Sequence, residues 1–162
     1  WPDLKQRLSI VSKADVSGAA FLNYASTMCK AVQPDLLWID NIQAYMDGDV
    51  CSQQQVSAFL NPLRALALDT GVAVQLIHHT GKAITGSRTA LDWSYIGNGS
   101  SQLTNWARAV MVLMPAEDEE YGNFNLRAAK RGSRAGLCHS GGLPSDCVKI
   151  RHGQRGICWE EN

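Results

Sequence analysis

The sequence has no excess of charge, because 15 lysines and arginines balance 15 aspartates and glutamates over 162 residues. A neutral chain has no overall electrostatic attraction for nucleic acid or anionic lipid, so binding of either would need a local basic patch. The sequence also lacks an apolar run near the ~20 residues of a membrane span, and residues 1–5 do not begin a signal peptide. These absences predict a soluble cytoplasmic protein with no membrane partner.

Cysteine is sparse and follows no pattern. The chain contains five cysteines, an odd number, and no Cys-x-x-Cys pair. This spacing indicates neither a disulfide framework nor a zinc site, so we interpret the cysteines as reduced packing residues. They are Cys29, Cys51, Cys138, Cys147 and Cys158. The length suits one domain with a real core, and without an internal repeat we predict a single domain over residues 1–162.

The most informative stretch is a short apolar run that ends in a carboxylate. Residues 36–39 read Leu-Leu-Trp-Ile and are followed by Asp40. Four apolar residues without alternation predict a strand of a parallel sheet that is covered on both faces. Ligands bind at the carboxyl ends of such strands, so Asp40 is well placed to hold a hydrated Mg²⁺ beside a nucleotide phosphate. The alternative is an aspartate that caps the turn after a buried strand.

Helical patterns flank this strand. Before it, the apolar spacing predicts a helix over about residues 17–32, and residues 8–11 predict a short strand. After it, a second helix is predicted over about residues 52–69. Pro62 lies inside that helix, where we expect a bend or a break near Phe59. The predicted core stripes are Phe21, Ala25, Met28 and Val32 on the first helix and Val56, Phe59, Leu60, Leu63 and Leu66 on the second.

A second apolar strand also ends in polar side chains. Residues 72–77 are mostly apolar and are followed at once by His78 and His79. Parallel strands joined by a helix end at the same edge of a sheet, so the histidines are expected at the edge that carries Asp40. The alternative is a pair of strand-end histidines with satisfied local hydrogen bonds.

Residues 80–101 interrupt the strand and helix patterns. The segment is rich in glycine, serine, threonine and asparagine and is too long for an ordinary connection. Arg88 and Trp93 could contact phosphate and stack on bases, although a tryptophan packed against its own core explains the pattern equally well. We expect this segment to be the most mobile part of the chain.

The remainder of the sequence predicts a short helix and antiparallel strands. Arg108 stands between the helix and the first of these strands, and Lys130 begins a basic cluster at the end of the second. The predicted elements are a helix at 101–106, strands at 109–114 and 124–129, and a hairpin of 147–152 with 157–160.

Four short motifs occur in one order between residues 35 and 131. Residues 36–41 are similar to a Walker B strand, and residues 68–82 are similar to a sensor segment that ends in His78-His79-Thr80-Gly81-Lys82. Residues 99–108 resemble a stretch that carries an arginine finger, and Lys130 stands where the same proteins have a lysine at a strand end. Together they resemble the core of the RecA-like ATPases, most closely the RepA-type hexameric replicative helicases and their phage and plasmid relatives.

This resemblance implies an α/β fold with a RecA-like mixed, mostly parallel sheet flanked by helices, and with antiparallel strands at the carboxyl-terminal end. It also implies ATP and Mg²⁺ as cofactors. Asp40 would order the water shell of Mg²⁺, with Asn41 beside it at the nucleotide. His79 would sense the γ-phosphate, as a neutral imidazole can while a neighbour holds its other nitrogen.

The resemblance further implies an assembled protein. Arg108 would reach the nucleotide of the next subunit, and Lys130 would contribute to nucleotide binding, because phosphoryl transfer depends on positioning and charge neutralisation. In the ring-forming relatives the loop at residues 80–101 faces the central channel, so Lys82, Arg88 and Trp93 are candidate contacts to single-stranded DNA. The implied partners are copies of the same chain, single-stranded DNA and replication proteins. The alternative for Arg108 is a surface residue before a strand.

One part of the family pattern is missing from these 162 residues. Nothing reads Gly-x-x-x-x-Gly-Lys-Ser/Thr, and Gly81-Lys82 follows the sensor strand with no glycine five residues earlier. Without that loop the main source of affinity for the β- and γ-phosphates is absent. We therefore expect a truncated RecA-like ATPase domain that does not hydrolyse ATP alone, either a fragment or a divergent stand-alone protein.

Two other functions remain open. The chain could be a non-catalytic oligomerisation or partner-binding module that keeps a degenerate RecA-like fold. An unrelated α/β enzyme with His78 or His79 as its base has the least support, because no serine or cysteine stands in a nucleophile-elbow motif.

Overall fold

A computed structural model describes residues 7–12, 15–80, 93–97, 99–116, 122–131, 136–153 and 159–161. The chain divides into two compact units, Trp1–His79 and Thr80–Asn162. The single-domain assignment over residues 1–162 stays a prediction. Most of the segment expected to be mobile, together with Lys82 and Arg88, lies outside the described residues.

The first unit contains a parallel strand pair and helices. Strands β1 (Leu36–Ile39) and β2 (Ala73–Leu76) pair in parallel, from Leu36 opposite Ala73 to Ile39 opposite Leu76. The helices are α1 (Gly18–Val32), α2 (Ile42–Tyr45) and α3 (Gln53–Thr70). Helix α1 packs on α3, and α3 packs on β2. The predicted strand–helix–strand order is therefore confirmed for residues 36–76.

The core of the first unit is built mainly by α3. All five predicted stripe residues of this helix, from Val56 to Leu66, are buried. Pro62 lies within the helix, and the helix continues through it without the break that was one expected outcome. Phe21 of α1 stacks at 4.3 Å from Tyr45 and at 6.1 Å from Phe59, measured between ring centroids.

The stripe of α1 differs from the prediction at its end. Phe21 and Ala25 are buried as expected, but Cys29 is the next buried residue, whereas Met28 is half-buried and Val32 is exposed. The buried residues Phe21, Ala25 and Cys29 follow the spacing i, i+4, i+8 along one face. Helix α1 ends at Val32, and Gln33 takes a left-handed conformation with its N–H on the carbonyl of Cys29. Residues 8–11, predicted as a strand, are described without regular structure, so that prediction is wrong.

Strand β1 is covered on one face only. Ile39 is buried, but Leu36 and Trp38 on the opposite face are 47% and 56% exposed. The prediction of a strand covered on both faces is therefore wrong in this structure. The unbroken apolar run does not distinguish the face that meets helices from the face that does not.

The second unit is an antiparallel sheet with a short helix. Helix α4 (Ser101–Trp106) precedes strands β3 (Val110–Pro115), β4 (Asn123–Lys130), β5 (Cys147–His152) and β6 (Trp159–Glu161). The strands lie in the order β3-β4-β5-β6, and each pairs antiparallel with the next. The α/β class with antiparallel strands at the carboxyl-terminal end is thus confirmed. Among the described residues, no helix is long and apolar enough to span a membrane.

Candidate nucleotide site

The carboxyl ends of β1 and β2 are tied together by backbone hydrogen bonds. The N–H of Ile77 donates to the carbonyl of Ile39 at 2.9 Å, and the N–H of Ile42 donates to the carbonyl of Ile77 at 3.0 Å. Asp40 and Asn41 lie between these two bonds, and the peptide bond that joins them is cis. The expected placement of the Asp40 segment beside the histidine-bearing strand is confirmed.

Asn41 links the two strand ends through its side chain. It is the N-cap of α2, and its Oδ1 accepts a hydrogen bond from the N–H of Ala44 at 3.1 Å. Because a backbone N–H can only donate, the oxygen of the amide must face Ala44, and the Nδ2 group faces Nε2 of His79 at 3.2 Å. Nδ2 can only donate, so Nε2 of His79 accepts.

This contact assigns the acceptor role to Nε2 of the His79 ring. An imidazole whose Nε2 accepts a hydrogen bond is neutral and carries its proton on Nδ1. The His79 side chain is exposed. The strand end therefore presents a single N–H donor on an oriented ring, which is a geometry suited to a phosphate oxygen.

Asp40 is exposed beside Asn41. Mg²⁺ in phosphate-transfer sites keeps several waters and is held by one or two carboxylates together with substrate phosphates. Among the described residues, no group of three or more histidine, cysteine, aspartate or glutamate side chains could enclose a metal ion. An accessible carboxylate at a strand end fits a hydrated Mg²⁺ shared with a nucleotide, and it does not fit an all-protein metal cage.

A loop after α2 is anchored to the start of α1. Ser17, the residue before α1, donates its hydroxyl to Oδ1 of Asp47 at 2.5 Å. Gly18 has a φ of +52°, and a Cβ built there would lie 1.9 Å from Oδ2 of Asp47. Sequence reasoning missed this contact, because a Ser-Gly pair before a helix and a distant aspartate carry no joint signal.

Arg108 and Lys130 lie close together in the second unit. The Nζ of Lys130 donates to the carbonyl oxygens of Thr104, Asn105 and Ala107, which is the residue before Arg108. The pKa of Lys130 is lowered, first by burial and then by the positive charges of Arg131 and Arg108. The side chain of Arg108 is exposed.

Trp93 is the one candidate DNA contact that the described residues include. Its side chain is half-buried, and the guanidinium carbon of Arg127 lies 5.1 Å from the centroid of its ring. This is the geometry of a cation–π contact. The contact with Arg127 gives the Trp93 side chain a partner within its own unit. The role of Trp93 in DNA binding stays a prediction.

A family comparison covers the strand-end site. A model of the AAA domain family matches residues 2–84, which is about half of the chain. The chain belongs to the AAA domain family. The matched range contains Asp40, Asn41 and His79, whereas Arg108 and Lys130 lie beyond it. No curated protein matches the chain.

Membership of the AAA domain family makes the chain an ATPase-type domain of the P-loop class. Such domains generally use ATP and Mg²⁺. The polar side chains at the carboxyl-terminal edge of the β1–β2 pair lie within the matched range. The roles of the individual residues are proposals.

Proposed function

We propose that this AAA domain is part of an ATPase core related to the RepA-type replicative DNA helicases, and that its strand-end edge reads the γ-phosphate of ATP. The observation that carries the proposal is the bond from Asn41 to Nε2 of His79. It leaves the Nδ1–H of a neutral ring as a donor. ATP has a γ-phosphate to accept that bond and ADP does not.

Asp40 would hold Mg²⁺ through the metal's water shell. When bound, Mg²⁺ would neutralise charge on the β- and γ-phosphates. Asp40 would orient these waters, and Asn41 would keep α2 capped so that the carboxylate and the imidazole stay at the same edge. The exposure of Asp40 supports this assignment.

Arg108 would act on the nucleotide of a neighbouring subunit. Its exposure and its place two residues after the end of α4 support that assignment. Lys82, Arg88 and Trp93 are proposed contacts to single-stranded DNA. Because the 162 residues contain no phosphate-binding loop, we propose that this chain alone binds nucleotide weakly and does not hydrolyse it.

A second candidate function is oligomerisation without catalysis. The exposed Leu36 and Trp38 favour it, because an apolar sheet face is a common protein contact surface. In that case a second copy of the chain would bind without nucleotide. Self-association together with nucleotide binding would agree with the first proposal, since ring ATPases need subunit contacts.

An equilibrium titration with a fluorescent ATP analogue and Mg²⁺ tests the proposal. We expect the analogue to bind weakly and to be displaced by ATP better than by ADP. We expect His79→Gln to abolish this preference for ATP. His78→Gln is the matched control, since it removes the adjacent ring and leaves the Asn41 contact. Equal displacement by ATP and ADP would overturn the assignment of His79 as a γ-phosphate sensor. ATP turnover that Asp40→Ala abolishes would overturn the proposal that this chain does not hydrolyse ATP alone.

A further inference from the structure

Lys130 holds the carboxyl-terminal end of α4. Its Nζ lies 2.7 Å from the carbonyl oxygen of Ala107 and 3.4 Å from that of Asn105, and it also bonds the carbonyl of Thr104. The last carbonyls of a helix have no partner within the helix, and a lysine often satisfies them. Here the lysine comes from the end of β4, so the contact joins a strand to a helix end.

The bond to Ala107 bears directly on Arg108. The carbonyl of Ala107 belongs to the peptide unit whose nitrogen is that of Arg108, so holding this oxygen fixes the plane from which Arg108 departs. The N–H of Ala107 also donates to the carbonyl of Leu103 at 3.1 Å. Both ends of the residue before Arg108 are therefore restrained.

The donors of Lys130 are used up by these contacts. An ammonium group has three N–H donors and no acceptor, and three carbonyl oxygens face it here. A phosphate oxygen would have to displace one of them. The side chain of the neighbouring Arg108 is exposed.

We infer that Lys130 is a positioning residue that orients Arg108, rather than a group that touches nucleotide itself. The inference rests on the proposed function for its consequence in nucleotide binding. The three hydrogen bonds from Lys130 to the carbonyl oxygens of Thr104, Asn105 and Ala107 form the Lys130 clamp on α4. That this clamp restrains the segment before Arg108 is a separate claim about the structure. The two parts therefore have separate tests.

The first test measures whether Lys130 restrains the segment before Arg108. Amide exchange at Ala107 and backbone ¹⁵N relaxation at Arg108 would be compared in the 162-residue chain, Lys130→Met and Arg131→Met. Arg131→Met removes an adjacent exposed cation and serves as the control. We expect exchange at Ala107 to quicken about tenfold or more in Lys130→Met and to stay unchanged in Arg131→Met. Equal behaviour of the two variants would overturn the clamp.

Lys130→Arg separates geometry from charge. A planar guanidinium keeps the positive charge but cannot direct donors to three converging carbonyls as an ammonium does. We expect Lys130→Arg to exchange at Ala107 as fast as Lys130→Met. Full protection in Lys130→Arg would show that charge alone suffices, and would contradict the clamp.

The second test is a double-mutant cycle on the affinity for the fluorescent ATP analogue with Mg²⁺. If Lys130 acts through Arg108, Lys130→Met weakens binding in the natural chain and adds nothing in an Arg108→Ala background. Further weakening in the double variant would show direct contact and overturn the inference. If the natural chain binds no nucleotide, the proposed function fails, and the exchange and relaxation data alone decide whether Lys130 orients Arg108.

Discussion

At the scale of single residues, Asn41 has the largest consequence for chemistry. Its one side chain caps α2 through Oδ1 and holds His79 through Nδ2. The first contact determines the second, because the N–H of Ala44 sets the direction of the amide and so turns Nδ2 toward His79. A polar residue after a strand does not reveal this from sequence, since the partner is 38 positions away.

Asn41→Asp separates the two tasks of this side chain. Aspartate is an equally good N-cap, so we expect the free energy of unfolding to change by less than about 0.5 kcal/mol. Its second oxygen can only accept, so Nε2 of His79 must donate, and a neutral ring then carries no proton on Nδ1. We predict loss of the preference for ATP over ADP at nearly unchanged thermal stability. A variant that keeps the preference would argue against the proton placement.

Gly18 is the second residue whose identity is constrained. Its positive φ and the carboxylate of Asp47, 1.9 Å from a built Cβ, both oppose any side chain. We predict that Gly18→Ala destabilises the chain by about 2–4 kcal/mol in urea unfolding, because backbone strain and a forced displacement of Asp47 add together.

Gly71→Ala is the matched control for that measurement. Gly71 has a φ of +76°, but nothing lies within 4 Å of its built Cβ. The control therefore carries only the conformational cost of about 1–2 kcal/mol. If the two variants lose equal stability, the contact with Asp47 has no energetic role.

At the scale of elements, the sequence predicted which helices and strands form, and their order, better than it predicted what packs against each of them. Helix α3 and its buried stripe followed from periodicity, because that pattern is local. The exposed face of β1 could not be predicted, because an apolar run does not show which elements pack on each face of the strand. The clamp of Lys130 on α4 also escaped prediction, since it joins residues more than 20 positions apart through side chain and backbone.

The carboxylate of Glu161 ties the end of β6 to the segment between β4 and β5. Glu161 accepts hydrogen bonds from Ser140 and from His139, and these bonds lower its pKa from 4.5 to about 2. A carboxylate with a lowered pKa stabilises the fold above its ordinary pKa and loses that contribution as the pH falls. The loss runs from about pH 4.5 down to about pH 2.

This linkage predicts a pH-dependent difference between the natural chain and Glu161→Gln. We expect the natural chain to be the more stable at pH 6, and the gap in melting temperature to close as the pH falls through that window. Glu160→Gln, on the same strand, is the control and should show no such closure. A gap that stays constant from pH 6 to pH 2 would contradict the role of Glu161.

At the scale of the whole molecule, the exposed face of β1 favours self-association. Trp38 and Leu36 leave apolar area in water that a second copy could cover, at about 25 cal/mol for each Å² buried. We predict a homo-oligomer at micromolar concentration by light scattering. Trp38→Lys should shift it to monomer, whereas Leu68→Lys, on exposed helix surface, should not. A monomeric natural chain would refute the prediction.

The most direct test of the central claim is a long-range ¹H–¹⁵N spectrum of the His79 ring, recorded before and after addition of Mg²⁺ with ATP or ADP. The strand-end geometry predicts a neutral ring protonated on Nδ1 in the free chain, and a shift of that nitrogen with ATP that ADP does not reproduce. A ring protonated on Nε2, or identical spectra with the two nucleotides, would contradict the claim that this edge reads the γ-phosphate.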